Sequence, residues 1–415
     1  MRYFCLMLFI SLVAGCNLNA DEPLANPQTT TLAVYLSWVQ QGDLWVYGPD
    51  DSNPRRVASG GVVRPYLAPD GQTIAFTRGP EGTPQTLWAV DFTGGREREL
   101  AGTDDLLDDE GIGQVGWWDE NALYFNTFQV DNTHYVPHPR HNLYRVHAVT
   151  GELALIRAPA EGGNFSFDPQ REHIILVYPG TYNVRDGRIS MIDPLVLEPP
   201  RNLLFFEGVA TGAETLFYPE IYWEASGEAV RFAIPDPDLL YASGDNIPTT
   251  ALWRVPLDAP SNREVIGSLQ ADFFGLPVWS PDGAHLVYLK RATTSPNRLE
   301  LYLADGDGSN AILYNDGQVG SLNRPRWIDE RQFVYIQGEP GAYWLGSIDA
   351  PPQRLTEKTI FNVRWLSSGH YIYLTPEDGS ATIELGALDG VAQPIITIEG
   401  AQADTLRYSA VMVDD

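Results

Sequence analysis

Residues 277–316 read PVWSPDGAHLVYLKRATTSPNRLELYLADGDGSNAILYND, a series of short apolar runs separated by turn chemistry. In Ser280-Pro281-Asp282-Gly283 the proline presets φ and the glycine accepts a positive one. The runs at 277–280, 285–290, 299–305 and 311–314 predict four antiparallel strands in a meander. A meander of this size has two faces and no core of its own. It is stable only when stacked on further copies of itself.

The copies are present. At the position of Trp279 the chain has Leu67, Trp117, Phe167, Trp223, Trp327 and Trp365, so five of the eleven tryptophans occupy one repeat position. Six or seven residues later comes an apolar second strand, at 74–76, 123–125, 174–177, 230–232, 333–336 and 372–374. A third follows at 87–91, 143–146, 189–193, 252–257, 344–349 and 383–389. Periods of about 40 to 57 residues with four strands each are what propeller blades require.

The ends complete the count. Residues 32–58 hold three strands without the first, and the C-terminal ADTLRYSAVMVDD alternates Leu406, Tyr408, Ala410 and Met412. Pairing this last strand with the N-terminal ones closes the ring and removes its exposed edges. The expected fold is all-β, an eight-bladed β-propeller of four-stranded antiparallel blades, spanning residues 32–415 as one domain. Seven blades is the alternative count, because the fourth and fifth units are irregular.

The WSPDG turn at 279–283, the LYLADGDGSN hairpin at 301–310 and the spacing resemble the TolB-type, WD-like β-propeller repeat, also seen in the propellers of prolyl oligopeptidases. The resemblance covers residues 32–413. It implies the architecture and leaves function open, since propellers host many unrelated activities. Absence of a Gly-x-Ser-x-Gly sets aside the prolyl oligopeptidase type of chain, and no catalytic residue is assigned. TolB itself carries a separate N-terminal α/β domain for which a fifteen-residue linker leaves no room, so its translocation role is not implied. Some TolB-type propellers, the oligogalacturonate lyases, hold manganese with His and Gln, which keeps a metal-dependent lyase or hydrolase as the alternative function.

The chain begins MRYFCLMLFISLVAGC, one Arg ahead of a short apolar run that ends in small residues, the layout of an export signal. Val13-Ala14-Gly15-Cys16 resembles a bacterial lipobox. The resemblance implies a lipoprotein signal peptide at 1–15, lipidation of Cys16, and anchoring on the periplasmic or cell-surface side of a bacterial membrane. Polar residues 16–31 then form a flexible tether. Cys5 falls in the segment to be removed, so no disulfide is expected.

A net charge of −27 disfavours polyanions, so nucleic acid is not an expected partner and the lipid anchor is the only membrane contact. In a propeller the turns after first and third strands lie on one face, and the loops after second and fourth strands on the other. The second face collects the long insertions at 126–141, 178–187, 235–250 and 291–298 and the interblade segment 102–114. These carry Asp104, Asp105, Asp108, Asp109, Glu110, Asp236 and Asp238 together with Phe128, Tyr135, Tyr178, Tyr182 and Tyr241. Aromatic anchors amid carboxylates suit a protein or small-ligand interface on a monomeric module. No cofactor is assigned. A divalent metal is the one candidate, through His134, His138 and His141 in one loop, where Pro137 and Pro139 oppose convergence by keeping the chain extended. Asp305-Gly306-Asp307-Gly308-Ser309-Asn310 lacks the sixth-position glycine and the distal Glu of a calcium loop and reads as a hairpin. Polar residues converging from three or more blades at the channel mouth would favour an enzyme, and an aromatic and acidic rim would favour a binding module.

Overall fold

The computed structural model describes residues 33–413 apart from 81–84, 108–109, 131–136, 159–160, 195–197, 212–215, 242–247, 293–294, 319–321, 323–324, 339–341, 368 and 389. Its described residues form eight four-stranded antiparallel sheets, with helix confined to four single 3-10 turns. Blade 1 consists of Ala33–Gln40, Asp43–Tyr47, Arg55–Ala58 and Tyr408–Val413; blade 2 of Val62–Leu67, Thr73–Arg78, Thr86–Asp91 and Arg98–Ala101. Blade 3 consists of Glu110–Trp117, Ala122–Val130, Pro137–His147 and Leu153–Arg157; blade 4 of Asn164–Phe167, Ile174–Tyr178, Gly187–Ile192 and Arg201–Phe206. Blade 5 comprises Tyr222–Trp223, Ala229–Pro235, Thr250–Pro256 and Glu264–Leu269; blade 6 Val278–Trp279, His285–Ala292, Ser295–Asp305 and Ile312–Gln318. Blade 7 comprises Arg326–Trp327, Gln332–Ile336, Tyr343–Ser347 and Gln353–Arg354; blade 8 Phe361–Trp365, His370–Glu377, Ser380–Ala387 and Gln393–Glu399.

Eight is therefore the correct count, and the ring closes as the sequence requires. Tyr408–Val413 pairs antiparallel with Ala33–Gln40, setting Ala33 opposite Val413 and Trp38 opposite Tyr408. First strands of neighbouring blades touch one another, so the first strand is the inner one and lines the channel. Apolar side chains pack between blades: Leu87, Trp117, Leu123 and Phe125 join blades 2 and 3, and Leu301, Trp327 and Phe333 join blades 6 and 7. Burial of these faces is the main drive for stacking, since no sheet alone could cover both sides.

The repeat tryptophans end their first strands and tie the ring together. Trp117 Nε1 donates to Tyr66 O at 3.0 Å, Trp223 Nε1 to Ser166 Oγ at 2.8 Å and Trp327 Nε1 to Val278 O at 2.9 Å. Each acceptor lies on the first strand of the preceding blade. Trp279 instead bonds within its own blade, to Gly306 O at 2.7 Å. The turns that follow are scaffold: Asp282 Oδ1 accepts from Ser280 Oγ and Ala284 N, and Gly283 has φ +69°. A Cβ on Gly283 would also meet Arg231 Cζ at 2.6 Å.

Three expected insertions are shorter than the sequence suggests. Strand pairing runs out through Pro137 opposite Val130 and Ala292 opposite Ser295, so the described parts of 126–141 and 291–298 are mostly strand. A register shift between Pro139 and Leu143 absorbs residues that lack ladder partners. Glu110, assigned to an interblade loop by the sequence, begins the first strand of blade 3. Extending a ladder satisfies backbone groups that a loop would leave to water.

Candidate binding face

On the insertion side, blades 4 and 5 meet through the loops after their second strands. A bridge between Thr181 and Arg185 folds the blade 4 loop back on itself and presents Tyr182. The Tyr182 hydroxyl donates to Asp238, and that bond is the main reason its pKa is raised. In the blade 5 loop, Asp236 Oδ1 accepts from Asp238 N at 2.9 Å and the 3-10 turn Leu239–Tyr241 follows. Leu239 is buried beneath this turn, whereas Tyr241 stays 60% exposed with its ring centroid 6.1 Å from that of Tyr182. Val184, 80% exposed, stands beside them in the same loop as Tyr182.

Ala210 N donates to Pro237 O, setting the blade 4–5 connection against the blade 5 loop, and its residues 211, 216–218 and 220 line, with 273, 274, 276 and 277 of the blade 5–6 connection, a cavity of about 280 Å³. Phe217, Tyr218, Tyr222, Phe273 and Phe274 line it with Glu220. Asp272 shapes its edge by accepting from Phe274 N at 3.0 Å and pairing with Arg291 Nε at 2.6 Å, which fixes the 3-10 turn Phe273–Gly275. That turn sends Phe273 inward, 6.2 Å from Phe217 between centroids, and leaves Phe274 66% exposed. Glu220 and Tyr222 also line a second cavity of about 500 Å³, which reaches Trp223, Arg326 and Trp327 on first strands. The aromatic cavity thus borders the channel wall.

Not all the residues expected at the interface meet. Asp236, Asp238, Tyr182 and Tyr241 come together, while Asp104 and Asp105 sit exposed on the 3-10 turn Thr103–Asp105 between blades 2 and 3. Asp108, Asp109, His134 and Tyr135 lie outside the described residues, as does the side chain of His138. Glu110 requires correction: it is 3% exposed and accepts from Asn142 Nδ2 at 2.7 Å, so it belongs to the interior and not to an acidic rim. A carboxylate hydrogen-bonded there cannot meet a partner without first breaking the blade.

His141 is also internal. It is 2% exposed, its Nε2 is 3.1 Å from the Tyr218 hydroxyl, and the Tyr178 and Tyr218 rings pack edge-on against it. Burial, helped by the positive charge of Arg185, pushes its pKa down to about 4. Among the described residues no three His, Cys, Asp or Glu side chains form a group that could hold a metal ion. The Asp305–Asn310 stretch is the hairpin the sequence suggested, with Asp305 Oδ2 accepting from Asn310 Nδ2 at 2.6 Å.

Sequence reasoning missed Phe217, Phe273 and Phe274. The available signal was an FF pair in a connection outside any strand run, a place where the hydrophobic pattern demands no apolar residue.

No family model matches the sequence, and no curated protein matches it either. Solved structures do match. A eukaryotic initiation factor is 10% identical with a TM-score of 0.51, covering 91% of this chain and 98% of that one. An oligogalacturonate lyase in complex with manganese is 13% identical with a TM-score of 0.49, covering 86% and 97%. TolB from Acinetobacter baumannii is 12% identical with a TM-score of 0.38, covering 91% and 82%. At such identities the likeness extends to the propeller fold alone.

Proposed function

We propose that this chain is a lipid-anchored, extracytoplasmic binding module that holds a polypeptide segment on the insertion side of blades 4 to 6. The observation that carries the reading is the aromatic cavity between the two interblade connections, with Phe274 standing exposed at its margin and Tyr241 exposed on the blade 5 loop. Exposed aromatic side chains beside a ready-made cavity bury much surface at small entropic cost, which is the usual makeup of an interface hot spot. The Asp238 carboxylate on the blade 5 loop favours a segment that carries a basic residue near its apolar anchor. Anchoring rests on the lipobox-like Val13-Ala14-Gly15-Cys16, which would hold the propeller at the membrane exterior through the 16–31 tether.

The test uses the full chain and peptides selected on it from a displayed random library. Selected sequences should pair an aromatic or aliphatic anchor with Lys or Arg, and Phe274→Ala and Tyr241→Ala should each weaken their binding about tenfold or more. Both side chains are exposed, so the fold should tolerate their truncation. Unchanged affinity in both variants, with weakening instead from changes in the Asp70 or Asp282 turns, would assign binding to the opposite face.

A further inference from the structure

Carboxylates outnumber basic side chains in this chain by 54 to 27. Around the outside the described arginines commonly meet one: Arg55 pairs with Asp51, Arg56 with Asp43, Arg78 with Glu97 and Arg331 with Asp349. Arg64 and Arg364 depart from this pattern. Both are exposed on first strands, those of blades 2 and 8, and among the described residues neither forms an ion pair with a carboxylate.

Blade 1 lies between them, and Arg407 directly precedes its first strand, where Arg407 O accepts from Val39 N at 3.0 Å. Arg407 reaches across to blade 2, with Nη1 donating to Val63 O at 3.3 Å. From the other side the Arg364 guanidinium lies 4.8 Å from the centroid of the Tyr408 ring. Tyr66 lies two residues from Arg64 on the first strand of blade 2, within reach of all three charges. Burial pushes the pKa of its hydroxyl up, while the charges of Arg64, Arg407 and Arg364 pull it back.

The positive charge is one-sided. At the position before the repeat residue, blades 3 to 6 carry Gly116, Ser166, Tyr222 and Val278, whereas blades 7 and 8 carry Arg326 and Arg364. Guanidinium groups gathered at one seam repel one another, and among the described residues no carboxylate pairs with Arg64 or Arg364 although the chain is acidic. A guanidinium presents parallel N–H donors that match the planar edge of a carboxylate or the face of a phosphate. The Tyr66 hydroxyl adds another polar group.

We propose that the channel side of blades 8, 1 and 2 binds a small oxyanion, a carboxylate or phosphate group, held by Arg64, Arg364 and Arg407 beside the Tyr66 hydroxyl. This site is separate from the aromatic cavity of blades 4 to 6 and does not depend on it.

Calorimetric titration of the full chain with pyrophosphate and with citrate, at constant ionic strength, tests the assignment. At least one should bind saturably, and which one does so identifies the group as phosphate or carboxylate. Arg64→Gln and Arg364→Gln should each weaken that binding about tenfold or more, and Arg64→Lys should recover only part of it, because ammonium keeps the charge and loses the fork. Arg96→Gln, which alters an exposed arginine paired with Asp91 on the outer surface, should leave the affinity unchanged. Both Gln variants should melt no lower than the wild type without anion, since they relieve like-charge repulsion. Should one melt lower, Arg64→Lys and Arg364→Lys carry the comparison. Failure of both probes to bind the wild type, or binding that persists undiminished in the Arg64 and Arg364 variants, overturns the proposal.

Discussion

At the scale of the residue, His141 shows how burial fixes a protonation state. Its folded pKa is pushed down to about 4 by burial and by Arg185, while an unfolded histidine titrates near 6.5. Between those values the unfolded chain takes up a proton that the folded chain refuses. The contribution of His141 to stability is thus complete above about pH 6.5 and is lost as pH falls toward 4. His141 has φ +62°, which asparagine tolerates better than most residues, so His141→Asn removes the titration with little added backbone strain. Its melting temperature should fall less between about pH 7 and pH 5 than that of the wild type. Equal slopes would mean that the imidazole is not held neutral inside the fold. Glu384 obeys the same rule from the opposite chemistry. Its burial raises the pKa, but hydrogen bonds from Lys358, Thr375 and Tyr373 outweigh that and hold the carboxylate below its ordinary value.

At the scale of the element, the first strand does most to assemble the ring. It has only two residues in blades 5, 6 and 7, yet in blades 5 and 7 it carries the indole that bonds to the preceding blade. Blade 1 has no first strand of its own until the chain returns. There Tyr408 is 1% exposed and its hydroxyl donates to Asn362 O and Ile372 O of blade 8, while Ser409 Oγ accepts from Leu67 N of blade 2 at 3.1 Å. Truncation after Gly400 would remove these bonds and the burial of Leu406 and Tyr408, worth about 1.5 to 3 kcal/mol for each large side chain. It would also leave Ala33–Gln40 as an open edge. The truncated protein should lose its single cooperative thermal transition and tend to associate. A truncated form that melts as a sharp monomeric transition at the wild-type temperature would show that ring closure adds nothing.

For the molecule as a whole, net charge and local charge point in different directions. The −27 total belongs to the whole sequence, and a charge of that sign favours solubility and disfavours polyanions in general. The inner strands of blades 8 and 2, with Arg407 between them, carry the opposite sign. An argument from total charge against anionic ligands therefore does not by itself extend to this seam, where the oxyanion site is proposed. The proposed anchor is tested at this scale too: Cys16→Ala should move the protein from the membrane fraction to the soluble fraction. Unchanged partitioning would remove the lipid anchor from the proposal and leave the propeller's binding face untouched.

The sequence by itself determined the eight blades and the closing strand. Strand periodicity, the SPDG-type turn and the repeat tryptophan are local signals, each legible within a few residues, and they recur along the chain. Tertiary structure alone decided which of the candidate residues face one another. Tyr182 and Asp238 are 56 positions apart and Arg407 and Val63 are 344 apart, yet each pair bonds because the curvature of the ring and the paths of its connections bring neighbouring blades together. The same folding withdrew Glu110 and His141 from solvent, although their sequence surroundings look like exposed loop: pairing beyond the expected strand end took Glu110 into sheet, and packing against Tyr178 and Tyr218 of blade 4 and its connection covered His141 in the bulge. Periodicity carries no information about how far a ladder extends past its apolar run or which connection lies over which. Those depend on backbone hydrogen bonds and packing between segments distant in the chain.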